Sequence, residues 1–167
     1  TMDGWEEELE RIPALGLRGL KIHPDFQRID IDEPKAIPMY RAIARMGLPV
    51  LFHVGDPVKD YSSPGRLVNL LRQVPDLTVI AAHFGGYRLF HTAWELLRDT
   101  DCIFDTSSAL MFMESGEAEK YINSYGAERM AYGTDYPLWD PVREVERFSQ
   151  LNLTDDQFDQ IFHKTAE

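Results

Sequence analysis

The 167-residue chain has a single cysteine, Cys102, so no internal disulfide can staple it. Its longest apolar runs, Leu48 to Val54 and Leu77 to Ala82, fall far short of the roughly 20 residues that cross a bilayer. No membrane span is expected, and a cytoplasmic location is the default expectation. Positive charge is also scarce: 17 lysines and arginines stand singly against 28 acids, for a net charge of −11. With no basic stripe to neutralise a phosphate backbone, nucleic acid and anionic membranes are poor partners. A small-molecule substrate and further copies of the chain are the partners left to expect. No Gly-x-Gly-x-x-Gly occurs; Gly85-Gly86 lacks that spacing, which removes the main support for a flavodoxin-like nucleotide or phosphate binder. Low-complexity linkers and short solenoid repeats are absent too, so residues 1–167 read as one domain.

What remains is an alternation of short apolar runs with longer stretches of helical period, the pattern of repeated βαβ units and a parallel sheet. Strands are expected at Arg18 to Ile22, Val50 to His53, Thr78 to Ala82, Cys102 to Asp105 and Arg129 to Tyr132. Each is apolar enough to be covered on both faces. Helices are expected at Trp5 to Leu15, Glu33 to Met46, Pro64 to Gln73, Leu89 to Arg98, Glu114 to Ser124, Val142 to Leu151 and Thr154 to Ala166. Pro34 and Pro64 suit first turns. Thr154 with Gln157 makes a capping box. The chain opens at Thr1 and Met2 almost directly before a helix and stops at Glu167 inside a helical run with no glycine or asparagine cap. A piece of a longer protein is the expectation.

Four of the strands end in a polar, reactive residue followed at once by a turn: Lys21-Ile22-His23-Pro24, Phe52-His53-Val54-Gly55-Asp56, Ala82-His83-Phe84-Gly85-Gly86 and Gly133-Thr134-Asp135-Tyr136-Pro137. Thirty residues separate His23 from His53, and thirty more separate His53 from His83. A βαβ unit takes roughly 30 residues, so the same point of successive units is marked. In a parallel array all carboxyl ends of strands lie on one face, where residues remote in sequence converge. One histidine after an apolar strand is most often a hydrogen-bonded structural residue. Three together with Asp135 form a donor set suited to Zn²⁺, Mn²⁺ or Fe²⁺.

The series GLKIHP, LFHVG, AAHFGG and YGTDYP resembles the amidohydrolase-related family of metal-dependent hydrolases that includes aminocarboxymuconate semialdehyde decarboxylase. The resemblance runs from Gly16 to the final helix. It implies an α/β fold, a partial (β/α)₈ TIM barrel comprising about the last five strands with their helices. It implies a hydrolase or non-oxidative decarboxylase with a divalent metal at the strand mouth, zinc first and Mn²⁺ or Fe²⁺ as alternatives. His53 and Asp135 would be metal ligands, and His83, with Asp135, would carry the catalysis. The family's first strand supplies a His-x-His pair, and this chain contains none. A full barrel needs about 250 residues, so the first three βα units and half of the metal shell lie outside this sequence. The alternative expectation is a non-catalytic, truncated barrel that acts as an interaction module and needs a complementary chain.

By the same resemblance the Lys-x-His-Pro segment lines the pocket, with His23 the stronger candidate for substrate contact than Lys21. The two are expected to differ in direction along their strand, only one facing inward. Tyr136, Trp139 and Asp140 are expected to shape the mouth, Trp139 touching substrate. Asp56 and Asp105 read either as partners that orient a histidine or as turn residues. His91 and His163 belong to outer helix faces, and Cys102, at the start of a strand, is a small buried hydrophobe.

Overall fold

The computed structural model describes residues 4–167; the reading made on Thr1 and Met2 lies outside them. A helix, α1 (Trp5–Ala14), precedes β1 (Leu20–Ile22), which runs into a four-residue helix α2 (Pro24–Gln27) and then α3 (Ile37–Arg45). Next come β2 (Val50–Phe52), α4 (Pro64–Gln73), β3 (Val79–Ala81), α5 (Phe90–Leu97), β4 (Ile103–Asp105), α6 (Glu117–Tyr125), β5 (Met130–Ala131), α7 (Pro141–Ser149) and α8 (Asp155–Phe162). The five strands pair in chain order, every pair parallel. Among the described residues β1 bonds only to β2, and β5 only to β4, so both edges of the sheet are open. This is the α/β architecture expected, with each strand short.

Register explains the two faces. Ile22, Phe52, Ala81, Phe104 and Met130 are aligned across the sheet, and all are buried, Phe52 and Phe104 completely. They face the helical layer: Phe52 meets Tyr40 of α3 edge-on and Phe104 stacks on Tyr125 of α6, ring centres 4.0 Å apart. The neighbouring row, Lys21, Leu51, Ile80 and Ile103, alternates to the other side, as strand period two requires. These residues are only half-buried or exposed. That side is the open one.

Helix boundaries follow local chemistry. Asp140 caps α7 through Val142 N, and the Thr154–Gln157 capping box opens α8 as expected. The helix expected from Glu33 begins only at Ile37, because Pro34 sits in turns that precede it and Pro38 takes the first-turn place. The one expected from Glu114 begins at Glu117, after Gly116 turns left-handed at φ 80°. The final run breaks at Phe162 and continues as a 3₁₀ turn, Lys164–Ala166. The short helix α2 was not expected: Pro24 starts it and the His23 ring caps it, its Nδ1 accepting Phe26 N at 3.4 Å.

Burial of the helix-facing row carries much of the stability. Phe104→Ala should lower the unfolding free energy by about 3–5 kcal/mol, measured by urea denaturation. A loss below about 1 kcal/mol would show that this row does not anchor the fold.

Candidate active site

Unbroken parallel order places the carboxyl ends of all five strands on one rim. Lys21, His23, Asp25, Phe26, His53, Asp56, His83, Tyr87, Ser108, Asp135, Leu138 and Trp139 line a single cleft of about 340 Å³ there. His53, His83, Asp135, His23 and Trp139, all singled out from sequence, therefore share one cavity. Lys21 and His23 both line it, which corrects the expectation that only one would. Residues two apart along a strand point the same way.

His53 follows β2 and His83 follows β3, and their rings meet in the interior. His53 Nδ1 lies 3.0 Å from His83 Nε2, His53 Nε2 lies 2.8 Å from the Gly55 carbonyl, and His83 Nδ1 lies 2.8 Å from the Ser107 carbonyl. Both carbonyls can only accept, so each outer nitrogen must carry a hydrogen. The central contact then requires a third hydrogen, and two neutral rings have two. Burial, reinforced by the His83 and His23 rings, pushes the His53 pKa down to about 3, so this ring is neutral near pH 7. A cation at His53 Nδ1 resolves the count: that nitrogen would offer its lone pair to the ion while Nε2 donates to the Gly55 carbonyl, and His83 Nε2, its Nδ1 donating to the Ser107 carbonyl, would be left beside the ion to exchange a proton. That pattern is how ligating histidines are ordinarily oriented. The donor set therefore fits a divalent ion.

Asp135, after β5, gives one oxygen to the protein: Ser108 Oγ donates to Oδ2 at 2.6 Å, and Trp139 Nε1 donates to Ser108 Oγ at 2.7 Å. Asp105, at the end of β4, accepts His83 N at 2.8 Å, Ser107 N at 3.0 Å and Ser107 Oγ at 2.6 Å. It thus holds the backbone at His83 and the Ser107 hydroxyl that lies 3.0 Å from His83 Nδ1, whereas Asp56 accepts Val58 N and Lys59 N and closes a turn. Lys21 stands on the open face, yet enough protein surrounds its ammonium that loss of water pushes its pKa down, opposed by Asp105 and Asp135.

Backbone strain gathers at the same rim. Of the six non-glycine residues with positive φ among the described residues, three line it or carry it: His83 (61°), Ser108 (51°) and Asp135 (58°). Such conformations persist where surroundings hold them, and they concentrate at functional sites. Gly55, at φ 87°, lets its carbonyl reach His53; a Cβ there would lie 2.6 Å from Tyr87 N.

Sequence reasoning missed several residues. Asp25, 2% exposed on α2, takes the Ser62 hydroxyl on Oδ2, while Oδ1 is buried without a partner. His23, Asp25 and His53 each offer a ligand atom within 4.8 Å of the others. The His23 ring lies parallel to that of His53, 9° between planes, so one ring must turn before both can address one ion. Asp25 followed His-Pro directly, which was the available signal; Ser107 and Ser108 gave none beyond their place after a strand. Away from the cleft, His91 is exposed against Trp94 and Glu95, His163 is exposed beyond α8, and burial pushes the Cys102 thiol up to about 11.

A sequence profile described as Amidohydrolase matches residues 2–167. The chain belongs to the amidohydrolase family. No curated protein sequence matches it. Among solved structures, it is similar to an uncharacterized TIM-barrel protein of Bordetella bronchiseptica, TM-score 0.81 at 24% identity, covering 99% of this chain and 61% of that one. It is also similar to 5-carboxyvanillate decarboxylase of Novosphingobium aromaticivorans, complexed with manganese and 4-hydroxy-3-methoxy-5-nitrobenzoic acid. There the TM-score is 0.79 at 17% identity, covering 99% of this chain and 60% of that one. A putative 2-pyrone-4,6-dicarboxylic acid hydrolase of Pseudomonas putida gives 0.72 at 20% identity, covering 99% and 67%. These likenesses establish the fold: the amidohydrolase chain is a partial (β/α)-barrel, spanning about 61% of the length of the first of these proteins. No helix among the described residues is long and apolar enough to cross a membrane.

The His53 pKa has a consequence for stability. The unfolded chain protonates this ring near 6.5 and the folded chain only near 3. Between those values the unfolded state binds the extra proton, so stability falls as pH drops from about 6.5 towards 3. In chelator, the urea midpoint of the wild type should fall more steeply over pH 7 to 5 than that of His53→Gln; parallel slopes would contradict the neutral, buried ring.

Proposed function

We infer that this amidohydrolase chain forms the catalytic half of a metal-dependent hydrolase or non-oxidative decarboxylase, resembling aminocarboxymuconate semialdehyde decarboxylase. The observation that carries the reading is the meeting of His53 Nδ1 and His83 Nε2 at 3.0 Å in a cleft that Asp135 also lines. His53 and Asp135 are assigned as metal ligands, zinc first, with manganese or iron(II) as alternatives; the manganese in the N. aromaticivorans decarboxylase supports a divalent ion. When bound, such an ion supplies Lewis acidity and charge stabilisation.

The chain's own residues supply the rest. His83, with Nδ1 committed to Ser107, has Nε2 to hold or pass a proton at the reacting atom. Asp135, with Oδ2 committed to Ser108, has a second oxygen that can accept a proton. Phe26, stacked on His23 at 3.8 Å, and Trp139 give the cleft aromatic walls that would orient a planar substrate, and His23, its faces covered by Phe26 and His53, would meet it with its edge. About 340 Å³ suits a monocyclic carboxylic acid, and the neighbouring decarboxylase's nitrobenzoic acid ligand is of that class. A small-molecule substrate and a soluble, cytoplasmic setting follow from this reading.

A second reading draws on the open strands β1 and β5: a barrel portion that pairs its edges with a complementary chain or a second copy. The two readings separate in one set of measurements on the complete polypeptide. The enzyme reading expects His53→Ala or Asp135→Ala to strip the metal, by elemental analysis. It expects His83→Ala to keep the metal and lose roughly 10²–10⁴-fold in turnover, scored as CO₂ release from hydroxybenzoates against ring opening of cyclic esters. Full turnover by a metal-free Asp135→Ala protein would overturn it.

A further inference from the structure

The turn after β4, Asp105-Thr106-Ser107-Ser108, contains none of the groups assigned above to ligation or proton transfer, yet it holds two that are. Asp105 and Ser107 fix His83, and Ser108 fixes Asp135. The hydrogen bonds of Ser108 have only one direction. An indole N–H can donate and never accept, so Ser108 Oγ is the acceptor from Trp139 at 2.7 Å. Its single hydrogen then goes to Asp135 Oδ2 at 2.6 Å. Ser108 is 2% exposed, so water does not compete for that hydrogen. Both ends of the bond, Ser108 at φ 51° and Asp135 at φ 58°, are non-glycine residues in the left-handed region, conformations that persist when the surroundings hold them.

We propose that Ser108 is a positioning residue for Asp135: its hydroxyl fixes the rotation of the carboxylate, keeps Oδ1 as the oxygen presented to the cleft, and ties that orientation to Trp139 at the mouth. The inference rests on the reading of Asp135 as a metal ligand. Polar partners one layer behind a ligand set its direction and its basicity. The chain Trp139–Ser108–Asp135 also gives the mouth a connection to the ligand, because a substrate that moves the indole pulls on the same hydroxyl.

Zinc affinity of the complete polypeptide, measured by competition with a chromophoric chelator, tests this beside the Tm of the metal-free protein. Ser108→Ala and Ser108→Gly both delete the hydroxyl, but alanine retains the left-handed strain and glycine relieves it. Positioning therefore expects both variants to bind zinc roughly 10–100-fold more weakly while their Tm values move apart. Trp139→Phe, which leaves the hydroxyl in place, should cost a smaller factor. A purely structural role for Ser108 would make zinc affinity follow Tm, the glycine variant binding like wild type, and that result overturns the proposal. Asp135→Asn separates the two levels. If it leaves zinc affinity unchanged, the ligand assignment fails and takes the Ser108 role with it. If it abolishes binding while both Ser108 variants bind like wild type, only the Ser108 role fails.

Discussion

Parallel pairing of five strands in unbroken chain order is the constraint on which everything else in this molecule depends. It admits one geometry: helices must return along one side of the sheet, and every carboxyl end must reach the same rim. Ile22, Phe52, Ala81, Phe104 and Met130 enforce it by filling the helical side. A one-residue slip of β2 or β4 would carry Phe52 or Phe104 to the open face, and a slip of β1 would turn Lys21 into the core. The core thus positions the site, although no core residue touches the cleft chemistry.

Given that rim, backbone groups do most of the orienting. The carbonyls of Gly55 and Ser107 grip the outer nitrogens of His53 and His83, and the Asp105 carboxylate grips the backbone at His83 and Ser107. Such grips need the chain to turn sharply at each strand end, which is why positive φ values fall on His83, Ser108 and Asp135 and why Gly55 has no room for a side chain. The strain and the orientation are one feature seen from two sides.

The architecture was legible because it is periodic. Five apolar runs, the thirty-residue interval between histidines and the proline that opens α4 all report a repeating unit, and the structure keeps each of them. What was not legible is aperiodic. Asp25 meets Ser62 across 37 positions, and Ser107 and Ser108 matter only because their hydroxyls fall beside His83 and Asp135 once the strands are aligned. The helix α2 escaped because His-Pro closed a strand so convincingly that the residues beyond it read as loop. The His23 ring both caps that helix and stacks on His53, a double duty that spacing alone does not reveal. Lys21 was set against His23 although strand period places them on the same side.

The candidate residues share a division of labour that random polar burial would not produce. His53 commits Nε2 to Gly55, His83 commits Nδ1 to Ser107, and Asp135 commits Oδ2 to Ser108. Each is anchored to the protein by one polar atom and retains one other. For the two rings the retained atoms face each other at 3.0 Å, a contact for which neutral imidazoles are one hydrogen short. Buried polar groups in folded proteins are normally satisfied, so a deficit located between two otherwise well-held rings marks where something electrophilic belongs. The same accounting explains why Asp25 stands apart. Its unpartnered Oδ1 is also a deficit, but the His53 nitrogen on its side, 3.8 Å from Oδ2, is already taken by Gly55. Of the two deficits, the one at His53 Nδ1 leaves a ligand lone pair free without breaking an existing bond, and a cation held there relieves the most at the least rearrangement while His83 Nε2 stays beside it for proton transfer.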